Sequence, residues 1–223
     1  METTFLNMPR GAILQRDKKT YAIVPRIPAG LVTPEILEKI ASVARKHNIP
    51  ILKITSGQRI AMVGMTAEQV EPIWEDLGLD PGKAVELCVH YVQACPGTTV
   101  CKFGLQDSLS LAQKLEQHFV GKELPAKAKM GVSGCPFCCA ESYVRDVGII
   151  GTKKGWTVAF GGHSGAKPRV ADVLKRDLEE KEVIDLVERA LNYFWEHGKN
   201  NIRAARFVEK VGIREIKAGL GLE

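Results

Sequence analysis

Four of the six cysteines fall in two close pairs, and this restricts the possible fold more than any other feature of the sequence. Cys95 and Cys101 are separated by five residues, Pro96-Gly97-Thr98-Thr99-Val100, and Cys135 and Cys139 by three, Pro136-Phe137-Cys138. Each pair follows a predicted strand and precedes a predicted helix. Four thiolates can therefore converge from two strand-to-helix turns, where helix N-termini favour anionic sulfur. Such a set suits a [4Fe-4S] cluster. Zinc competes, although its ligand pairs are usually two to four residues apart and a gap of five fits poorly. A third reading makes the thiols small buried hydrophobes. It suits Cys88 on its strand, but the glycine and proline flanks of the paired four argue against simple packing.

Composition narrows the setting. With 223 residues, 45% hydrophobic and 26% charged, the chain is long enough for one large domain or two small ones, and disorder is excluded as its main state. No run approaches the roughly 18 apolar residues of a membrane helix, and Met1 to Arg10 does not read as a signal peptide. The expectation is a cytoplasmic protein with no membrane partner, in which six cysteines imply metal or redox chemistry rather than disulfides. Lys and Arg outnumber Asp and Glu by 31 to 26, a mild excess suited to an anionic ligand. Aromatics are 6%, with no basic run interleaved with them, so no nucleic-acid partner is expected.

Periodicity predicts an α+β chain. A strand over Tyr21 to Val24 precedes a helix from Pro34 to Lys46, with Thr33 as N-cap and Ile36, Ile40 and Val43 on one face. Strands Ile51 to Thr55 and Arg59 to Val63 lead to a second capped helix, Thr66 to Leu77. This β-α-β-β-α unit has a ferredoxin-like character. Asp80-Pro81-Gly82 marks a boundary, giving domains 1–79 and 80–223. Beyond it, strands are expected at Val85 to Val92, Lys129 to Val132, Gly148 to Thr152 and Thr157 to Phe160. Helices are expected at Leu105 to Phe119, Cys139 to Val144, Val170 to Leu178, Lys181 to His197 and Ile202 to Val211. A Gly-x-Gly-x-x-Gly dinucleotide signature is absent.

Taken together, these residues resemble the sulfite and nitrite reductase family. The resemblance runs from the Cys-x5-Cys of Cys95 and Cys101 through Gly-Val-Ser-Gly-Cys ending at Cys135, Cys139, Asp146-Val147-Gly148, Gly161-Gly162 and Lys167-Pro168-Arg169. In the first half it rests on Val24-Pro25-Arg26 and on the stretch from Lys53 to Ile60. It is nearest to the small assimilatory-type sulfite reductases and to the C-terminal part of the bacterial nitrite reductase large subunit. The resemblance implies a ferredoxin-like half domain followed by a mixed α/β domain that binds sirohaem and a [4Fe-4S] cluster. Cys95, Cys101, Cys135 and Cys139 would ligate the cluster, with Cys139 also bridging to the sirohaem iron.

The resemblance also assigns the basic residues. Leu124-Pro125-Ala126-Lys127-Ala128-Lys129 puts two lysines on one face of an entering strand, which by itself reads as a solvated edge. In the family this pattern implies that Lys127 and Lys129 bind the anionic substrate and deliver protons. Arg59 resembles the half-domain arginine of the same anion site. Arg26, Thr98, Thr99, Gly162, His163, Ser164, Lys167 and Arg169 are expected cofactor contacts, the basic ones through charge-assisted hydrogen bonds. The family often has an arginine serving the substrate anion five residues before the first cluster cysteine; this chain has His90 there, the fourth catalytic candidate, whose charge varies near neutral pH and could make anion affinity pH-dependent. Cys138 is expected to pack rather than ligate.

The expected function is six-electron reduction of sulfite to sulfide, with nitrite to ammonia as the alternative. A non-catalytic sirohaem electron carrier or sensor, and a zinc-stabilised nucleic-acid module, are readings of other classes. An external donor such as a ferredoxin or flavoprotein must supply the electrons. Longer family members hold two copies of the unit, so a homodimer is expected here.

Overall fold

The computed structural model describes residues 8–222 and divides into two compact units, Met1–Val85 and Glu86–Glu223. The first contains β1 (Ala12–Leu14), β2 (Tyr21–Ile23), α1 (Pro34–Lys46), β3 (Ile51–Ile54), β4 (Ile60–Met65) and α2 (Ala67–Leu77). Its four strands form an antiparallel sheet in the order β1-β2-β4-β3.

Local chemistry explains the helices. Pro34 opens α1 and the Thr33 side chain accepts from Ile36 N, while Thr66 and Gln69 close a reciprocal capping box on α2. Gly78 ends α2 in the left-handed region at φ 59°. Both helices set their apolar faces, including Ile40, Val43, Val70, Ile73 and Trp74, against Ile23, Met62 and Met65 of the sheet. The sequence pattern found every element here except β1, which is only three residues long.

The second unit is a five-stranded mixed sheet in the order β5-β6-β7-β8-β9: β5 (Val89–Ala94), β6 (Ala128–Ser133), β7 (Val147–Thr152), β8 (Gly155–Phe160) and β9 (Asp172–Leu178). The first three strands are parallel and the last two pairings antiparallel. Its helices are α3 (Ser108–Phe119), α4 (Glu180–His197), α5 (Ala204–Val211) and α6 (Ile213–Gly219). The β5-α3-β6 crossover places the two cysteine loops side by side, because both follow the C-terminal ends of adjacent parallel strands, where α/β sheets gather their sites.

Two expectations are corrected. Val170 to Leu178 is not a helix but contributes β9, in which Leu174 and Leu178 are the buried positions. A spacing of four keeps two residues on one face of a strand as well as of a helix, so the pattern does not discriminate. Two register shifts against β8, and Asp177 at φ 57°, adjust the strand to its neighbour. Cys139 to Val144 gives only a short 3-10 turn, Ser142–Val144. Cys138 and Glu141 stand at φ 59° and 54°, left-handed conformations that interrupt any α-helix.

Candidate functional site

The two cysteine loops are bonded to each other. Gly134 N donates to Cys95 Sγ at 3.1 Å, and Leu105 N and Gln106 N both donate to the Gly134 carbonyl, at 2.9 and 3.0 Å. No side chain fits between them: a Cβ on Gly134 would lie 2.8 Å from both Gly97 Cα and the Gln106 carbonyl, and one on Gly104 would lie 2.5 Å from Gly97 C. Glycine is required for this backbone approach. Ser108 at the start of α3 places its hydroxyl 3.5 Å from Cys95 Sγ and donates to the Cys95 carbonyl at 2.7 Å. Backbone N–H, hydroxyl and the α3 N-terminus thus face Cys95, whereas no α-helix follows Cys139.

None of the six cysteines is in a disulfide; Cys95 and Cys135 are buried, Cys101 is half-buried and Cys139 is exposed. Among the described residues no three His, Cys, Asp or Glu side chains meet as they would around a single metal ion. A cubic four-iron cluster makes a different demand, one thiolate at each of four irons. The donor set fits it: four thiols on two interlocked loops, the innermost sulfur already receiving an N–H bond. Cys138 packs with Tyr143 against Ile150, Ala159 and Ala171.

A basic cluster surrounds one carboxylate. Lys127 and Lys129 are both half-buried and alternate with buried Ala126, Ala128 and Met130, so they share a face of β6 and its approach. Asp146, almost fully buried, accepts from Lys129 N at 2.9 Å and from both Nε and Nη2 of Arg203. Arg145, also buried, donates from Nη2 to Gln93 Oε1 at 2.7 Å and pairs with Glu141, while its Nε has no hydrogen-bond partner. The Lys129 ammonium lies 5.8 Å from the Tyr91 ring centroid.

These charges act on one another. Burial, then the positive fields of Arg203 and Arg145, push the Lys129 pKa below its ordinary value, against an upward pull from Asp146. Burial and Arg203 likewise lower His163, favouring a neutral imidazole at neutral pH. Several cations gather around one carboxylate and one guanidinium N–H is unsatisfied, a surplus of positive charge suited to an anion. A tetrapyrrole rich in carboxylates fits that surplus, and so does a small oxyanion.

The other expected residues have different surroundings. His163 and Arg169 pair across an isolated bridge, and Arg169 Nη1 donates to the Gly161 carbonyl at 2.9 Å while Nη2 pairs with Asp172. Its guanidinium therefore braces the glycine turn. The Lys167 carbonyl accepts from Arg206 Nη2 at 2.6 Å, and Ser164 and Lys167 are exposed. Gly162 passes so close to Arg145 and Tyr143 that a Cβ would lie 2.5 Å from the Arg145 carbonyl. Thr98 and Thr99 are exposed on the first cysteine loop. His90 is buried in β5 with Nε2 2.7 Å from the Glu86 carbonyl, the environment of a satisfied strand histidine. Arg59 and Arg26 belong to the first unit, where Arg59 Nη1 donates to the Lys83 carbonyl at 2.7 Å.

Sequence reasoning missed Arg145 and Arg203. The Arg145-Asp146 dipeptide stands directly before Val147-Gly148 and offered a signal. Arg203 offered none, since it meets Asp146 across 57 residues of chain.

A ferredoxin-like antiparallel unit, followed by a mixed sheet whose parallel strands present paired thiols beside a basic cluster, is the arrangement expected of a cluster-bearing redox enzyme. Sequence comparison agrees: residues 87–223 match the nitrite and sulphite reductase 4Fe-4S domain, and residues 13–79 the nitrite/sulfite reductase ferredoxin-like half domain. The chain belongs to the nitrite and sulphite reductase family; it is an oxidoreductase, and the family's cofactors are a [4Fe-4S] cluster and sirohaem.

It is 58% identical to an assimilatory-type sulfite reductase of Nitratidesulfovibrio vulgaris, over 94% of this chain and 96% of that one. It is 37% identical to the nitrite reductase [NAD(P)H] of Bacillus subtilis over 97% of this chain, which spans only 27% of that enzyme. Among solved structures, dissimilatory sulfite reductase I superposes with a TM-score of 0.83 at 16% identity, covering 92% of this chain and 69% of that one. The Mycobacterium tuberculosis NirA protein superposes with a TM-score of 0.80 at 19% identity, covering 90% of this chain and 39% of that one. These two likenesses show the fold. Family membership displaces the zinc-stabilised nucleic-acid reading, and among the described residues no helix is long and apolar enough to cross a membrane.

Proposed function

We propose that the chain reduces sulfite to sulfide in the cytoplasm, with nitrite to ammonia as the nearest alternative. The overall reaction is HSO3⁻ + 6 e⁻ + 6 H⁺ → HS⁻ + 3 H2O, so the site must hold an anion through successive reductions, protonate its oxygens and release water. The carrying observation is the surplus of positive charge at the entry of β6, where Lys129 shares one electrostatic neighbourhood with Lys127, Arg145 and Arg203.

Supporting that reading, Cys95, Cys101, Cys135 and Cys139 would hold the cluster, and Arg145 and Arg203 would neutralise substrate or sirohaem carboxylates. When bound, the coupled sirohaem and cluster supply the electrons and the substrate-binding iron. Lys127 and Lys129 attract the anion, and the depressed pKa of Lys129 makes its ammonium a readier proton donor than an ordinary lysine. Asp146 holds Arg203 and the Lys129 backbone in register. His163, biased toward the neutral imidazole, can accept a proton or a hydrogen bond at the same face.

The reading includes a homodimer. Lys129 is the second residue of β6 and Cys135 lies two residues past its end, so the two are up to roughly 20 Å apart at about 3.3 Å per residue. Lysines of one copy facing the cofactors of the other would bring both sets to one substrate. A monomer by sedimentation that keeps both cofactors and turns over would assign both sets to a single chain.

The test is anaerobic purification from a host that makes sirohaem, followed by spectra, metal analysis and turnover with reduced methyl viologen. The expected result is haem-type visible bands, about four cluster irons plus one haem iron per chain, and sulfite turnover exceeding nitrite turnover. Nitrite preference would select the alternative. A cofactor-loaded protein whose reduced form is not oxidised by either anion would make it a carrier or sensor.

A further inference from the structure

Both cysteine loops turn bulky apolar side chains to solvent. Phe103, two residues past Cys101, is 52% exposed; Phe137, between Cys135 and Cys139, is 70% exposed; and Val100 is 77% exposed. The two phenyl rings meet edge to face with centroids 5.4 Å apart. The inward side of these loops is already formed by Cys95, Gly97, Cys135 and Ala140, so the rings are not needed for the core. A contiguous apolar patch of this kind marks a binding surface.

Cations lie on the same loop and on the turn bonded to it. The Lys102 ammonium lies 4.9 Å from the Phe103 centroid. The turn between β7 and β8 presents exposed Lys153 and Lys154, and it is tied to the first cysteine loop by Gln106 Nε2 donating to the Thr152 carbonyl at 2.8 Å. The only carboxylate in residues 95–110, Asp107, is engaged as the α3 cap, accepting from Ser110 N at 3.1 Å.

We propose that this face docks the electron donor, a small acidic one-electron carrier protein whose carboxylates meet Lys102, Lys153 and Lys154 while its apolar centre covers Val100, Phe103 and Phe137. The assignment rests on the reductase reading and adds the identity of its partner surface. An apolar centre within a charged rim is the anatomy of protein interfaces, and opposite charge accelerates encounter without making the complex too tight to turn over. In each encounter one electron leaves the carrier, which is oxidised, and enters the cysteine-held centre, which is reduced. No bond forms or breaks in either protein, and six encounters supply one sulfite.

The test uses the cofactor-loaded full chain, sulfite as acceptor and two donors: a strongly acidic plant-type [2Fe-2S] ferredoxin and methyl viologen, each reduced. The Lys102→Glu, Lys153→Glu, Lys154→Glu triple variant is expected to keep viologen-driven kcat within about twofold while the KM for ferredoxin rises about tenfold or more and its salt dependence flattens. Phe137→Ala is expected to raise the ferredoxin KM severalfold at unchanged iron and acid-labile sulfide. Unchanged ferredoxin kinetics in the triple variant would overturn the proposal. A lower sedimenting mass for Phe137→Ala would also overturn it, giving the face to a second copy. Failure of the parent chain to turn over sulfite with viologen would defeat the reductase reading instead. Calorimetric binding of ferredoxin to the parent, weakened in the triple variant, would still support the docking face.

Discussion

The two units bury different kinds of residue. Among the described residues the first buries one charged side chain, Arg59, beside an apolar core that includes Met62, Met65, Ile73 and Trp74 but not the arginine, whereas the second contains the other nine buried polar or charged residues, among them Arg145 and Asp146. An antiparallel sheet with two amphipathic helices needs only an apolar face to be stable. An anion site needs desolvated charge, which must be satisfied by partners or it destabilises the fold. The first unit is therefore built mainly from packing, and the second carries most of the desolvated polar groups.

Glycine substitutions should break the comparison most sharply. Gly134→Ala drives a methyl into backbone and is expected to part the two cysteine loops, dropping iron and acid-labile sulfide to background; Gly78→Ala, with φ 59° but open space around it, should cost about 1 kcal/mol in a denaturant titration and leave iron content intact. Next in size is Asp146→Asn, which leaves Arg203 without its buried counter-charge. An expected loss of about 3–5 kcal/mol, read from the unfolding midpoint, compares with about 0.5–1.5 kcal/mol for Ile73→Val in the apolar core of the first unit.

The double variant Lys127→Met, Lys129→Met separates function from stability: turnover should fall about 10²-fold or more with stability within about 0.5 kcal/mol and cofactor content unchanged. Retained turnover would defeat the assigned roles. In the parent chain the depressed Lys129 pKa places the alkaline loss of kcat/KM below 10.5. The Asp146 carboxylate pulls that pKa upward against Arg203, Arg145 and Lys127, so in folded Asp146→Asn the limb should move to lower pH. The smallest effect lies in the first unit. Lys46 and His47 hold Asp76 below its ordinary 3.8, so this half-buried carboxylate stabilises the fold above that pH and loses its contribution as pH falls through its folded value. Asp76→Asn should flatten the acid-side stability curve slightly without altering turnover.

Legibility in the sequence followed the same division. Thr33, Pro34 and Thr66 announced both helices of the first unit because caps act over three or four residues, and the observed α1 bounds coincide with the expected ones. In the second unit β9 was misread because the Leu174 to Leu178 spacing serves a strand and a helix equally, and only pairing with β8 decides between them. The 3-10 turn after Cys139 was misread because left-handed Cys138 and Glu141 carry no sequence mark comparable to glycine.

The cysteine spacings and the Lys127, Lys129 alternation were enough by themselves to nominate candidate ligands and candidate charges, since residue identity and strand period are local properties. Contact between the two loops, with Gly134 N on Cys95 Sγ, was decided by the parallel pairing of β5 and β6. The Arg203 to Asp146 pair was likewise decided by the return of the chain after α4. Burial and long-range charge are properties of neighbours distant in the chain, and for that reason the depressed Lys129 pKa and the orphaned Arg145 Nε emerge only when the sheet is assembled.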